Sequence, residues 1–146
     1  MTFDARVRLA IYEHFITNGC APLAADLSRS MKVSRDEIDA SLHRLAGGRL
    51  LILQPASGEI YTCPPFSAVP QAFHVESRGR SWDAICAWEA LGIPALLNED
   101  ADVQTACGDC GEALTLRVGN GKLEDSAARI HFVVPAKHWW DNIVFT

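Results

Sequence analysis

No apolar run in this chain approaches the roughly 20 residues needed to span a bilayer. The first residues, MTFDARVRLAIYEHF, interleave charges with apolar side chains, which excludes a secretory signal peptide. Positive charge is also scarce. A formal net charge of −5 argues against a protein whose main work is non-specific nucleic-acid binding. There is no internal repeat and no low-complexity tract, so a solenoid or a disordered linker protein is not indicated. The five cysteines, Cys20, Cys63, Cys86, Cys107 and Cys110, are odd in number and widely spread, unlike a secreted disulfide framework. Reduced thiols in a cytoplasmic protein fit better. With 146 residues the chain can bury one good core, or two small ones that lean on each other.

What is present divides into two parts. In the first, Val7, Leu9, Ala10, Ile11, Phe15 and Ile16 recur at helical spacing from Phe3 to Ile16, and Asn18-Gly19 stops that helix. Pro22 opens a second short helix, with Leu23, Leu27 and Met31 facing inward. Ser34 followed by Glu37 is a capping-box pattern that starts a third helix through Ile38, Leu42 and Leu45. Two short extended runs, Leu50 to Gln54 and Glu59 to Thr62, flank Pro55-Ala56-Ser57-Gly58 and predict a hairpin. Three helices followed by a hairpin is the winged helix-turn-helix arrangement. DNA reading would place the third helix in the major groove. That helix instead carries Asp36, Glu37 and Asp39 against Arg35, His43 and Arg44, and residues 1–62 hold seven basic and seven acidic side chains. Without net positive charge the module has little to attract phosphates, and a packing or dimerisation role is favoured over DNA binding.

Cys63-Pro64-Pro65-Phe66 reads as a stiff linker, because paired prolines stop a strand. The expected domains are therefore 1–65, winged-helix-like, and 66–146. In the second part Gln71 to Glu76 predicts a strand, and Ser81 an N-cap for a helix running to Leu91, with Pro94 breaking the pattern. Val103 to Cys107, Ala113 to Val118 and Arg129 to Val134 are strand candidates, with Gly119-Asn120-Gly121 as a turn between the last two. The expected fold class is α+β, with a small, mainly antiparallel sheet and a short helix that carries the site.

The richest segment is Ser81 to Cys110. Cys86 precedes Glu89 by one helical turn, so both lie on one face of a helix. A thiolate is the strongest protein ligand for soft metals, and a carboxylate beside it can hold or pass a proton. The plain alternative is a small core residue beside a solvated glutamate, and from the pair alone that is the commoner arrangement. Cys107-Gly108-Asp109-Cys110 is a CxxC on a turn before a strand. It can be half of a zinc site or a redox pair. The chain holds no second CxxC, and Cys63, His74, His131 and His138 show no zinc-like spacing. A thioredoxin-type site would need the motif at a helix start in a βαβ unit. His131 lies in an apolar run, where a satisfied core histidine is the expectation.

Cys86-Ala87-Trp88-Glu89, followed by Leu91-Gly92-Ile93-Pro94-Ala95-Leu96-Leu97, resembles the active-site helix of the organomercurial (alkylmercury) lyases. Val103 to Cys107 with Gly111 to Leu116, the run His131-Phe132-Val133-Val134-Pro135 and Trp139-Trp140-Asp141 are similar to that family as well. The resemblance implies a winged-helix-like N-terminal domain before a catalytic core. It also implies protonolysis of a carbon–mercury bond, giving a hydrocarbon and Hg(II). In that family two cysteines and an aspartate do this: thiolates make the carbon more basic and a local acid protonates it. Carried over, Cys86 matches the first thiol, and Glu89 stands where the family usually has aspartate. Cys107 matches a cysteine that looks structural. Where the family places its second catalytic thiol this chain reads Ser126-Ala127-Ala128-Arg129. Cys110 or Cys107 are the remaining candidates for a second sulfur on substrate mercury.

The resemblance further implies no cofactor, external small thiols as co-reactants, an organomercurial substrate and a mercuric reductase as recipient of Hg(II). The apolar run Trp139 to Thr146 reads as an element cut short. A C-terminally truncated core, from a premature stop or a recoded codon, is the matching expectation. Two other function classes compete. One is a thiol-based protein that sequesters mercury or copper through Cys86 and the CxxC. The other is a winged-helix regulator that responds to metal.

Overall fold

The computed structural model describes residues 1–124 and 126–143. Helix α1 (Phe3–Asn18) begins at Thr2, whose side chain accepts the Ala5 N–H, and ends at Gly19 with φ of 72°, as the Asn-Gly stop predicted. Helix α2 (Ala24–Met31) is short, and its N-cap is Leu23. Leu23 is a correction: it stands exposed outside the helix, while Leu27 is buried and Met31 half-buried. Helix α3 (Arg35–Gly47) carries the full capping box, with Ser34 Oγ accepting from Glu37 N and Glu37 Oε2 accepting from Ser34 N at 3.0 Å. Its face of Ile38, Leu42 and Leu45 packs on Val7, Ile11 and Phe15 of α1. At the rim, Asp4 accepts from Ser41 Oγ at 2.7 Å and from Arg44 at 2.7 and 2.9 Å. Those donors favour the charged carboxylate and hold its pKa at about 2.

The helices lead into one antiparallel sheet. Its strands are β1 (Ile52–Leu53), β2 (Ile60–Cys63), β3 (Phe66–Ser67), β4 (Phe73–Ser77), β5 (Arg80–Ala84), β6 (Ala101–Ala106), β7 (Ala113–Gly119) and β8 (Lys122–Leu123). They lie in the order β1-β2-β3-β5-β4-β6-β7-β8. The α+β class with an antiparallel sheet is as expected. Cys63-Pro64-Pro65-Phe66 is a tight hairpin rather than a linker, since Cys63 pairs with Phe66 and Thr62 with Ser67. The sheet therefore runs on through residues 63–66.

Two further expectations are corrected. Ser81 caps no helix. Arg80 to Ala84 alternates, with Trp82 and Ala84 buried, and pairs along β4 from Phe73↔Ala84 to Ser77↔Arg80. Trp82 decides this locally: its ring lies 6.0 Å from that of Phe66, and its Nε1–H donates to the Phe15 carbonyl at 2.7 Å. The helix begins later, as α4 (Ala87–Leu97), and runs through Pro94 to close at Asn98 with φ of 52°. A proline in the last turn forfeits one backbone hydrogen bond, and Pro94 is buried there, which offsets the loss.

Arg129 to Val134 forms no strand. After the Asn120-Gly121 turn, where both residues have positive φ as a tight hairpin requires, β8 pairs only Leu123 with Val118 and Lys122 with Gly119. The chain then leaves the sheet, and among the described residues no strand is offered to 129–134. His131 is exposed there, not a core histidine. A short 3-10 helix, Ala136–Asp141, follows, with Trp139 Nε1 donating to Val134 O at 2.7 Å. Of the apolar run expected to be cut short, Val144, Phe145 and Thr146 lie outside the described residues.

Candidate active site at the start of helix α4

Cys86 is the N-cap of α4, with extended backbone (φ −150°, ψ 167°), and its Sγ accepts the Glu89 N–H at 3.5 Å. Glu89 Oε2 in turn accepts the Ile85 N–H at 3.4 Å. The pair thus closes the helix start much as a serine–glutamate capping box does, with sulfur replacing the hydroxyl. Cys86 satisfies one N–H that a helix start leaves open, and Glu89 reaches back to the N–H of the residue before the cap. The far end of α4 is tied down by Glu99, which accepts from Arg80 at 2.6 and 2.7 Å and from Ser77 at 2.8 Å. That clamp on the β4–β5 hairpin fixes where the Cys86 end lies.

The electrostatics of the two groups follow from burial. Desolvation pushes the Cys86 thiol up from its ordinary value. The N–H groups of Glu89 and Trp88 pull it partly back, and the Glu89 charge pushes it up again. Glu89 is raised too, first by burial, with the Ile85 N–H opposing. No cationic side chain is among the groups acting on either. Free, the site therefore holds its protons more tightly than either residue would in water.

The register brings Cys63 and the Cys107–Cys110 turn to the same end of the sheet as Cys86, while Cys20 lies beside His14 at the end of α1. Cys63 pairs with Phe66, Ser67 with Asp83, Phe73 with Ala84 and His74 with Gln104. The β2–β3 corner with Cys63, the exit of β5 toward Cys86 and the exit of β6 toward Cys107 all follow from that pairing. Cys63 carries no local signal in the sequence for its place beside this site. It is fully buried, burial pushes its thiol up to about 11, and the Glu89 carboxylate adds to that rise. Arg8 and Tyr12 of α1 act against it. Arg8 donates to Tyr12 Oη at 3.0 Å, and Tyr12 Oη donates to Pro64 O at 2.6 Å. Only the register places Cys63 here, because those neighbours are distant in the chain.

Cys107 and Cys110 occupy the β6–β7 turn. Cys107 N donates to Glu112 O at 2.8 Å and Gly111 N to Cys107 O at 2.9 Å. The Cys107 sulfur receives the N–H groups of Cys110 and Asp109 and the Cys110 thiol, which together lower its pKa. The histidines considered as ligands are elsewhere. His74 Nδ1 is bound to Asp83 at 3.1 Å, His138 Nδ1 to Asp141 at 2.9 Å, and His131 is exposed. Among the described residues, no three His, Cys, Asp or Glu side chains group as a metal-holding set.

The antiparallel α+β fold, with a thiol and a carboxyl both at the start of α4, is narrowed by comparison. Residues 66–146 match the family model described as alkylmercury lyase, which is over half the chain, so the chain belongs to the alkylmercury lyase family. Among solved structures it is similar to the crystal structure of the mercury-bound form of MerB2. The TM-score is 0.69 at 22% sequence identity, over 87% of this chain and 61% of that one. At that identity the likeness is one of fold. This chain spans less than two thirds of that chain's length. No curated protein matches the chain. No helix among the described residues is long and apolar enough to cross a membrane.

Proposed function

We propose that the chain is an organomercurial lyase in which Cys86 is the nucleophile and Glu89 the proton carrier. The observation that carries this reading is the closed pair at the start of α4. A half-buried thiol and a half-buried carboxylate, each with its proton affinity raised by burial, lie within the family-matched region. An arriving organomercury cation supplies the positive charge that the free site lacks. It favours the Cys86 thiolate, and the proton released passes to Glu89. A thiolate from a small external thiol then joins the mercury, and the two soft ligands load electron density onto the departing carbon. Glu89 returns its proton to that carbon. The hydrocarbon leaves, the mercury–carbon bond is replaced by a mercury–sulfur bond, and Glu89 is a carboxylate again. Mercury is substrate here, and the scheme uses no resident cofactor.

Residues 66–146 form the catalytic part in this reading, and the winged-helix-like residues 1–65 support it. The basic side chains of α3 favour support over DNA contact. Arg35 is engaged by Asp39 at 2.9 Å and Glu59 at 3.6 Å, and Arg44 by Asp4. Arginines committed to carboxylates are poorly placed to neutralise phosphates. The free thiols suit a reducing, cytoplasmic setting.

The test is incubation with phenylmercury and an excess of small thiol, with benzene measured by gas chromatography. The wild type is expected to release benzene catalytically and Cys86→Ser to release none above background. No benzene from the wild type, or equal release by Cys86→Ser, overturns the proposal. Stoichiometric mercury uptake without benzene would instead select the second reading, a thiol-based mercury- or copper-binding protein. That reading draws on one observation: the groups hydrogen-bonded to the Cys86 sulfur are backbone N–H groups, not a second thiol.

A further inference from the structure

The β6–β7 turn carries two thiols that the lyase scheme does not use. Its backbone is closed on itself by the Cys107 N–H to Glu112 O and Gly111 N–H to Cys107 O bonds, directly beyond the Ala106↔Ala113 pair. Gly111 supplies the left-handed step, with φ of 74°. That frame holds Cys107 and Cys110, three residues apart, on one closed turn, with the Cys110 thiol among the groups acting on Cys107. The N–H groups of Asp109 and Cys110 converge on the same sulfur and would stabilise negative charge there. The turn is open: a Cβ built on Gly108 or Gly111 meets nothing within 4 Å, and Cys110 is exposed. Two cysteines on one open, hydrogen-bonded turn suit a soft cation that takes two thiolates, whereas zinc asks for four ligands. Among the described residues no third His, Cys, Asp or Glu groups with them.

We propose that the Cys107–Cys110 turn is a second soft-metal site, separate from Cys86, which accepts Hg(II) as a bis-thiolate. The turn stands at the sheet end where β5 delivers Cys86, which places it to receive mercury left there. That source rests on the lyase reading; the site itself does not. The transfer is a ligand exchange without redox change. Hg(II) held by Cys86 and one small thiol passes to Cys107 and Cys110, two mercury–sulfur bonds break and two form. The protons given up by the turn's thiols go to Cys86 and to the released small thiol. Exchange favours the turn because its second sulfur binds intramolecularly, at an effective concentration that a free monothiol must match from solution.

The experiment is Hg(II) retention by the full chain against excess monothiol, with sulfur neighbours counted by X-ray absorption. Cys86→Ser is expected to retain one Hg(II) with two protein sulfurs. Adding Cys107→Ser and Cys110→Ser should abolish that retention, while a thermal melt shows that the turn substitutions leave the fold intact. With Cys86 present, the Cys107→Ser/Cys110→Ser variant should release benzene as the wild type does but free Cys86 of Hg(II) several-fold more slowly. No Hg(II) retained by Cys86→Ser overturns the proposal, and so does equal retention after both turn cysteines are removed. A zinc-dependent dimer with one zinc per two chains and no Hg(II) retained would overturn it as well. If the wild type releases no benzene, the lyase reading fails while Hg(II) retention by Cys86→Ser still decides this one.

Discussion

Cys86 and Cys107 both accept backbone N–H groups at their sulfurs, yet their acidities move in opposite directions. At the start of α4 burial outweighs the N–H donors, and the Glu89 charge adds to the rise. On the β6–β7 turn the same kind of donor meets almost no desolvation, and the thiol is made more acidic. Donor geometry therefore has one sign at both places, and solvent exposure decides the outcome. The consequences differ in kind. A thiol that keeps its proton until a cation arrives suits a reaction that needs that proton afterwards. A thiol that gives it up readily suits holding a metal.

The largest effect should come from breaking the buried pair. Cys86→Ser is expected to reduce hydrocarbon release to background. Glu89→Gln should slow it by roughly 10²–10⁴-fold, the range for loss of a positioned acid or base. Equal rates in Glu89→Gln and wild type would remove Glu89 from the mechanism and leave the contrast one of burial alone.

Next in size is the shared scaffold beneath both places. Trp82 is buried between Phe66 and α1 and sits on β5, which leads to Cys86. Trp82→Ala should cost about 3–5 kcal/mol in denaturant unfolding, from lost transfer energy and the cavity left behind. A loss under about 1 kcal/mol would mean that this sheet region does not depend on the packing described.

The comparison is sharpened most directly by alkylation mapped by mass spectrometry across pH. Cys107, with its pKa lowered, should react with iodoacetamide at lower pH than Cys86, whose thiolate forms only above the ordinary thiol range. In Glu89→Gln the Cys86 profile should move to lower pH, because one source of its rise is gone. Coincident profiles for the two cysteines would erase the distinction.

The smallest expected effect lies far from either thiol. Asp4 has its pKa lowered from 3.8 to about 2 by Arg44 and Ser41. A depressed carboxylate contributes stability that is fully present above the unfolded value and is lost as pH falls through the folded one. Acid titration should therefore show stability declining between about pH 4 and 2, and Asp4→Asn should flatten that limb. An unchanged acid limb would detach the α1–α3 rim from the stability of the fold.

The helical part was legible from residues near one another in the chain. Asn18-Gly19, the Ser34–Glu37 box and Asn120-Gly121 each work through local geometry, and each is found where it was read. Ser81 misled because an N-cap signal is also local, while the sheet that claims β5 is not. Trp82 finds its partners at Phe15 and Phe66, and that burial outweighs a cap. The failure at Arg129 to Val134 has the same origin, since a strand needs an edge to pair with and β8 ends after Leu123. Cys63 went unread because Arg8, Tyr12 and Glu89 reach it only through the fold.

By itself the sequence determined that a thiol and a carboxylate stand three residues apart; the expected shared helix face gave way to a cap, since Cys86 is extended and only Glu89 is helical. It likewise determined that two cysteines share one tight turn. Only the tertiary structure decided what those groups do with their protons. Proton affinity depends on how much solvent the surroundings remove, and the atoms that remove it from Cys86 and Glu89 come from across the fold.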